Sequence, residues 1–342
     1  MKTVRVSASE EGRRLDRVLA GYLPKAAPAF FHKMLRKKNI VVNGKKQDAA
    51  YRVKAGDEIT FWLSEETFGK FSVQEEETAA ALARYREAYE GLAGDEGARP
   101  EILYEDEQLL LLNKPAGLLS QRAKGETLSV NEWLCGYLLA VHATTEEELR
   151  RFRPSVANRL DAGTSGLMVC VKTLPAARDF ALLQREGLLE KRYLAVVCGC
   201  VREGFAARDA LVKDHIHNKA IVTKNVFAAE EKERMRAEVL CVNEKEELSL
   251  LSLTLLDGKS HQLRAQLSHR GFPVLGDGKY GNAERNREMR QRFGLRTQLL
   301  HSESLGFPED VPEALRALAG KCFAAPLPAH FLVVRDEYFE NI

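Results

Sequence analysis

Apolar positions near the start of the chain recur with a helical period. In RRLDRVLAGYL, Leu15, Val18, Leu19 and Tyr22 fall on one helical face. AFFHKMLRKKN predicts a second, shorter helix with a basic end. IVVNGKK reads as a strand running into a turn at Asn43-Gly44, a pair suited to two-residue hairpins because both central residues need positive φ. Another turn at Ala55-Gly56-Asp57 leads into EITFWL, which alternates like a strand. The pattern then changes. EEETAAALARYREAYEGLAGDEGAR is Ala/Glu-rich, then Gly-rich, and predicts a helix followed by a flexible linker.

Beyond Pro100 the periods are mixed. EILYEDEQLLLLNKP predicts a strand, a turn and a buried strand. SVNEWLCGYLLAVHA predicts a helix. GLMVCVKT is a strand leading into the helix PAARDFALLQREG, closed by Gly187. EKRYLAVVCGCV and LSLLSLTLLDG are strands, and SHQLRAQLSHRG is a helix ended by Gly271. Interspersed helices and strand pairs, without regular βαβ alternation, indicate an α+β class: a mixed or antiparallel sheet domain behind a small α+β module. The expected divisions are 1–63, 64–99 as an acidic helical or flexible linker, and 100–342. No fixed-period repeat is present.

Charge sharpens this division. The chain's formal net charge is only +2, but residues 1–63 hold 14 Lys/Arg against 6 Asp/Glu, a net of +8. Residues 64–100 hold 9 acidic and 4 basic residues, which argues against nucleic-acid contact there. The N-terminus has no apolar leader and no stretch is long enough to span a bilayer, so a cytoplasmic protein without a membrane partner is expected. The six cysteines, Cys135, Cys170, Cys198, Cys200, Cys241 and Cys322, form no C-x-x-C pair and read as free thiols, not metal ligands.

Three segments carry candidate chemistry. Asn158-Arg159-Leu160-Asp161-Ala162-Gly163-Thr164-Ser165-Gly166 precedes a buried strand, so Asp161 should sit in a tightly turned loop at the strand's start. Alone, such an Asp is more often an Asx-turn. Lys191-Arg192-Tyr193 opens a strand, where Tyr193 could stack on a flat base or simply be half-buried. Gly258-Lys259-Ser260-His261-Gln262-Leu263-Arg264 ends a strand and starts a helix. Helical spacing puts His261, Arg264 and Ser268 on one face and Leu263 and Leu267 on another, leaving Arg264 able to meet a carboxylate.

Three look-alikes are set aside. Gly258-Lys259-Ser260 lacks the glycine that a phosphate-binding loop requires at position 253, which is Leu. Gly276-Asp277-Gly278-Lys279-Tyr280-Gly281 fits G-x-G-x-x-G but has no room for a dinucleotide domain after it. His215-Ile216-His217 has no further ligand at metal spacing and reads as a surface pair.

Taken in order, the blocks resemble the RluA-type pseudouridine synthases. Glu105-Asp106 through Lys114-Pro115-Ala116-Gly117, the Asn158–Gly166 loop, Lys191-Arg192-Tyr193, Gly258–Arg264 and Gly271-Phe272-Pro273 through Gly281 follow the family's order. LLHSESLGFP is similar to its closing segment. Two positions depart: Asn158 stands where His is usual, and Lys259-Ser260 where Arg-Thr is usual. Residues 12–63 resemble an S4 RNA-binding domain through R-L-D-x-x-L, a basic helix, V-N-G and G-D-x-I.

The resemblance implies uridine isomerisation to pseudouridine in RNA without metal or cofactor, with ribosomal RNA preferred and transfer RNA second; a monomer is the default expectation. It assigns Asp161, Tyr193 and Arg264 to catalysis, with Arg159, Leu160, Thr164, Lys191, His261 and Gln262 binding substrate. Arg159 would fill the gap left by a flipped base. Arg13, Arg14, Arg17, Lys33, Arg36, Lys37, Lys38 and Lys45 would bind RNA through the S4-like module. Lys114 is given a structural or backbone-binding part. The competing reading is a non-catalytic RNA-binding or ribosome-assembly factor that keeps the fold.

Overall fold

The computed structural model describes residues 1–6, 10–72, 75–95, 97–123, 128–214, 219–223 and 233–339. His215-Ile216-His217 lies outside the described residues. Contacts group the chain into two units. One comprises Met1–Gly91, Asn131–Ser155 and Val171–Ala177; the other comprises Leu92–Val130, Val156–Cys170 and Arg178–Ile342.

In the first unit, β1 (Lys2–Arg5), β2 (Ile40–Val42) and β3 (Glu58–Phe61) form an antiparallel sheet in the order β1-β3-β2. Helices α1 (Leu15–Tyr22) and α2 (Pro28–Arg36) supply the rest of its core: Leu15, Val18, Leu19, Phe31 and Leu35 are buried with Ile40, Val42, Ile59 and Phe61. The expected hairpin forms. Asn43 and Gly44 take φ of 49° and 70°, and Val42 and Lys45 exchange two backbone hydrogen bonds of 2.9 Å.

The acidic segment expected to be a helix and a tether holds two helices, α3 (Glu65–Phe71) and α4 (Glu75–Ala93). Ser64 caps α3 by accepting the Thr67 N–H. Leu82 and Tyr85 of α4 are buried with Cys135 of α5 (Val130–Ala140) and Leu149 of α6 (Glu146–Arg151). A Cβ on Gly136 would lie 2.1 Å from the Tyr85 carbonyl, so glycine is what lets α4 and α5 approach so closely.

The second unit is built on a ten-stranded sheet. Its strands are β4 (Glu101–Glu105), β5 (Leu109–Lys114), β6 (Ser155–Val156), β7 (Ser165–Val171), β8 (Glu190–Cys198), β9 (Phe205–Ala207), β12 (Met235–Asn243), β13 (Leu248–Leu255), β14 (Leu300–Gly306) and β15 (Cys322–Ala324). The path runs β4-β5-β7-β14-β8-β13-β12-β9, with β15 beside β14 and β6 beside β7. β7 and β14 are parallel, while β14–β8, β8–β13 and β13–β12 are antiparallel. The hairpin of β10 (Ala210–Asp214) and β11 (Lys219–Thr223) stands apart from this sheet. Helices α7 (Leu174–Glu186), α8 (Gln262–His269), α9 (Ala283–Phe293) and α10 (Ala329–Tyr338) complete the chain's α+β architecture.

Strand pleating divides the two faces of this sheet. Leu194 and Val196 of β8 and Leu248 and Leu250 of β13 join Met289 of α9 and Phe331 and Val334 of α10 in one core. Tyr193 and Leu253, paired across β8 and β13, therefore face the other way. The six cysteines are free thiols; Cys135 and Cys170 are buried, whereas Cys322 is exposed. Among the described residues no helix is long and apolar enough to cross a membrane.

Candidate active site

The Asp161 loop is fixed from several sides. Ser120 Oγ donates to the Leu160 carbonyl at 2.5 Å and accepts the Leu160 N–H at 3.0 Å. The Thr164 N–H closes the turn onto the Asp161 carbonyl at 3.0 Å. Thr164 Oγ1 accepts from Gln298 Nε2 at 3.0 Å, and a Cβ on Gly163 would sit 2.3 Å from Gln298 Oε1, so the turn admits no larger residue there without displacing Gln298. Gly166 has φ of 108°, and a Cβ there would lie 2.2 Å from the Ser302 carbonyl. The loop thus leaves a strand packed directly on β14. Asn158 Oδ1 accepts the Val169 N–H at 2.7 Å, so the residue that departs from the family pattern ties the approach to the loop onto β7.

Lys114 ends β5 with no exposed surface. Its ammonium donates to the carbonyls of Pro115 at 2.7 Å, Leu118 at 2.8 Å and Ala162 at 3.1 Å. It therefore binds the loop at the residue after Asp161. Burial pushes this lysine down to about 7, while the Asp161 carboxylate pulls it upward.

Across the loop, Arg264 of α8 donates Nη1 to Asp161 Oδ2 at 2.7 Å. Its Nε and Nη2 make a bidentate pair with Asp277, both bonds at 2.7 Å. The Asp277 side chain has no exposed surface, against 7% for Arg264 and 23% for Asp161. Burial raises the Asp277 carboxyl, but the Arg264 hydrogen bonds and charge overcome it and hold the group below its ordinary value. Desolvation opposes the Arg264 charge, yet its two carboxylate partners carry its pKa above the ordinary range. Asp277 also accepts the N–H groups of Lys279 and Tyr280, at 2.8 and 3.0 Å. A buried anion thus fixes the guanidinium, which in turn holds the partly open Asp161 carboxylate.

His261 takes a left-handed conformation, φ 55°, at the start of α8, a strained choice for a residue with a side chain. Its Nδ1 lies 3.0 Å from the Tyr280 hydroxyl and its Nε2 3.8 Å from Asp161 Oδ1. Burial lowers the imidazole pKa, so the ring is uncharged at neutral pH and its approach to Asp161 is a polar contact, not an ion pair. Burial pushes Tyr193 up to about 12, with Asp161 adding to the shift and a hydrogen bond to Ser302 opposing it; the phenol stays protonated over the working range.

Asp161, Tyr193, His261 and Arg264 line one open cleft. Of the residues expected from sequence, Arg159, Leu160, Asp161, Thr164, Tyr193, His261, Gln262 and Arg264 all line it. Lys191 is not in the lining; burial lowers its pKa and Asp257 pulls it back. The Gln262 amide is engaged by backbone, accepting the Lys259 N–H at 3.1 Å and donating to the Arg234 carbonyl at 3.1 Å, so it shapes the wall. Sequence reasoning missed Asp277 and Tyr280 as site residues, although both lie in the Gly276–Gly281 block already noted. At the N-terminal module, Lys33, Arg36, Lys37, Lys38 and Lys45 are exposed and form no ion pair among the described residues, whereas Arg14 is held by Asp16 at 2.7 Å.

Asp161 with the guanidinium that holds it, the buried Tyr193 phenol and the exposed Arg159 thus line one cleft. Comparison with known proteins gives it a class. The RNA pseudouridylate synthase family model matches residues 108–269, which include the Asp161 loop, Tyr193 and all of α8. Ribosomal large subunit pseudouridine synthase C of Escherichia coli (strain K12) is 27% identical over 315 residues, covering 90% of this chain and 88% of that protein. The synthase of the same name from Vibrio cholerae is 26% identical over 325 residues, covering 93% and 91%. The structure of human RNA Pseudouridylate Synthase Domain Containing 4 shares the fold, with a TM-score of 0.53 at 21% identity, covering 76% of this chain and 96% of that one. Residues 108–269 thus carry the match to that family, and the protein is an RNA pseudouridine synthase, an isomerase.

Proposed function

We propose that the protein converts one or more uridines of ribosomal RNA to pseudouridine, with Asp161 as the reacting carboxylate. The observation that carries this is the Asp161–Arg264–Asp277 arrangement at the floor of the cleft, with Arg264 bonded to both carboxylates at 2.7 Å. The preference for ribosomal RNA follows the names of the similar proteins and the unpaired cations of the N-terminal module, read as S4-like.

The reaction breaks the bond from C1′ to N1, turns the base and joins C5 to C1′. Hydrogen leaves C5 and N1 gains a proton, so atoms and electrons balance within the substrate and solvent. The target base must leave its stack, at a cost of a few kcal/mol. Arg159, exposed at the cleft's rim, is suited to occupy the space it vacates. Arg264 keeps Asp161 ionised when the bound base excludes water. Tyr193 offers its ring to the uracil and, as a neutral phenol, a proton donor or hydrogen-bond partner. Lys114 and Asp277 hold the two halves of the site in place.

The test uses ribosomal and transfer RNA transcripts carrying uridine tritiated at C5. Wild-type protein should release tritium to water from ribosomal RNA in preference to transfer RNA. Asp161→Asn should release none while binding RNA with an affinity within about twofold of wild type. Turnover by Asp161→Asn at the wild-type rate would remove Asp161 from the mechanism.

A further inference from the structure

The outer face of the N-terminal sheet carries an aromatic side chain that the catalytic site does not use. Ile40, Val42, Ile59 and Phe61 point to the core and are at most 1% exposed. Pleating turns the intervening positions to the opposite face, where the Thr3 and Thr60 hydroxyls lie 3.4 Å apart. Trp62 belongs to this face: its N–H donates to the Asn39 carbonyl at 2.7 Å, extending the register in which Ile40 opposes Phe61. It is 57% exposed, whereas Trp133 is 2% exposed.

Asn39 directly follows Arg36-Lys37-Lys38 at the end of α2. Those three cations are exposed and form no ion pair among the described residues. An open indole beside unpaired cations matches the two parts of an unpaired nucleotide, a flat base and a phosphate. Stacking on the ring is tolerant of base identity and largely indifferent to salt, while phosphate contacts weaken as salt rises. A duplex offers no free base face and would use the cations alone.

We propose that Trp62 is a stacking platform for one unpaired base of the RNA substrate, with the adjacent phosphates held by Lys37 and Lys38. The proposal rests on the RNA-modifying reading above and adds a single-stranded contact outside the cleft.

The experiment titrates the full-length protein with a single-stranded oligouridylate and with a duplex RNA of equal length, following tryptophan emission. Trp133 is buried and stacked on Tyr137, with ring centroids 5.4 Å apart, so emission accessible to acrylamide reports Trp62. The single strand should quench that emission and shield it from acrylamide, and the duplex should do neither. Trp62→Ala should weaken oligouridylate binding roughly tenfold with no change in its salt slope, and Trp62→Phe should restore most of the loss. Lys37→Ala/Lys38→Ala should instead flatten the slope by about 1.4. Wild-type affinity in Trp62→Ala, or emission unaffected by the single strand, would overturn the platform. Tritium release from RNA by the same preparations separates the two readings. If it persists, only the platform falls; if wild type neither binds nor turns over RNA, the underlying function falls as well.

Discussion

Arg264 divides three hydrogen bonds between two carboxylates of unequal exposure, and this inequality sets their parts. Asp277 is sealed and fixes the arginine; Asp161 opens to the cleft. Asp277→Asn should leave RNA affinity unchanged and lower kcat roughly 10²-fold, because the guanidinium loses its anchor and shifts relative to Asp161. Stability should fall by about 3 kcal/mol, measurable by urea unfolding, since half of a buried ion pair is removed. Lys114→Met should act similarly on turnover, because it strips partners from three backbone carbonyls, one of them beside Asp161. The pairing of Asp161 with Arg264 was legible only through the family resemblance: helical spacing left Arg264 able to meet a carboxylate without naming one, and the Asp161 loop alone read as an Asx-turn. Asp277 was not. Its block of glycines looks like a dinucleotide-binding G-x-G-x-x-G, and no periodicity reveals that a carboxylate will be buried against a helix thirteen residues earlier in the chain.

At the level of elements, β14 ties the strand that follows the Asp161 loop to the rest of the sheet. His301 of β14 shows how. Its Nε2 meets the Ala325 carbonyl at 3.1 Å, an acceptor only, so Nε2 carries the proton and Nδ1 accepts from Ser165 Oγ at 2.9 Å. Burial brings His301 down to about 4, so the unfolded chain takes up its proton near pH 6.5 while the folded chain does not. The stability it contributes is present above pH 6.5 and is lost as pH falls toward 4, amounting to about 3 kcal/mol. Unfolding measured across this window should show wild type losing that much more than His301→Gln. Strands such as β7, β8 and β13 were readable because their apolar runs are long and bounded. β12 and β14 were not read as strands: β12 is interrupted by an irregularity between Val239 and Cys241, and LHSESLG mixes polar and apolar residues that are buried only through their sheet partners. The acidic segment's helix was readable, but its packing was not, because Leu82 and Tyr85 find their partners more than fifty residues later.

For the whole molecule, a near-neutral chain separates its work by charge. Lys33, Arg36, Lys37, Lys38 and Lys45 form no ion pair among the described residues, whereas Arg264 is doubly paired. Replacing Lys33, Lys37, Lys38 and Lys45 with Ala should reduce the salt slope of RNA binding by roughly three and leave kcat at saturating RNA unchanged. Substitution is a cleaner test than truncation, since residues 1–63 are part of a larger packed unit. The central claim is that Asp161 isomerises uridine in ribosomal RNA. Pseudouridine mapping across total RNA tests it most directly, in cells lacking this protein and complemented with wild type or with Asp161→Asn. The account predicts at least one ribosomal position that is lost on deletion, restored by wild type and not by Asp161→Asn. An unchanged map, or full rescue by Asp161→Asn, would contradict it.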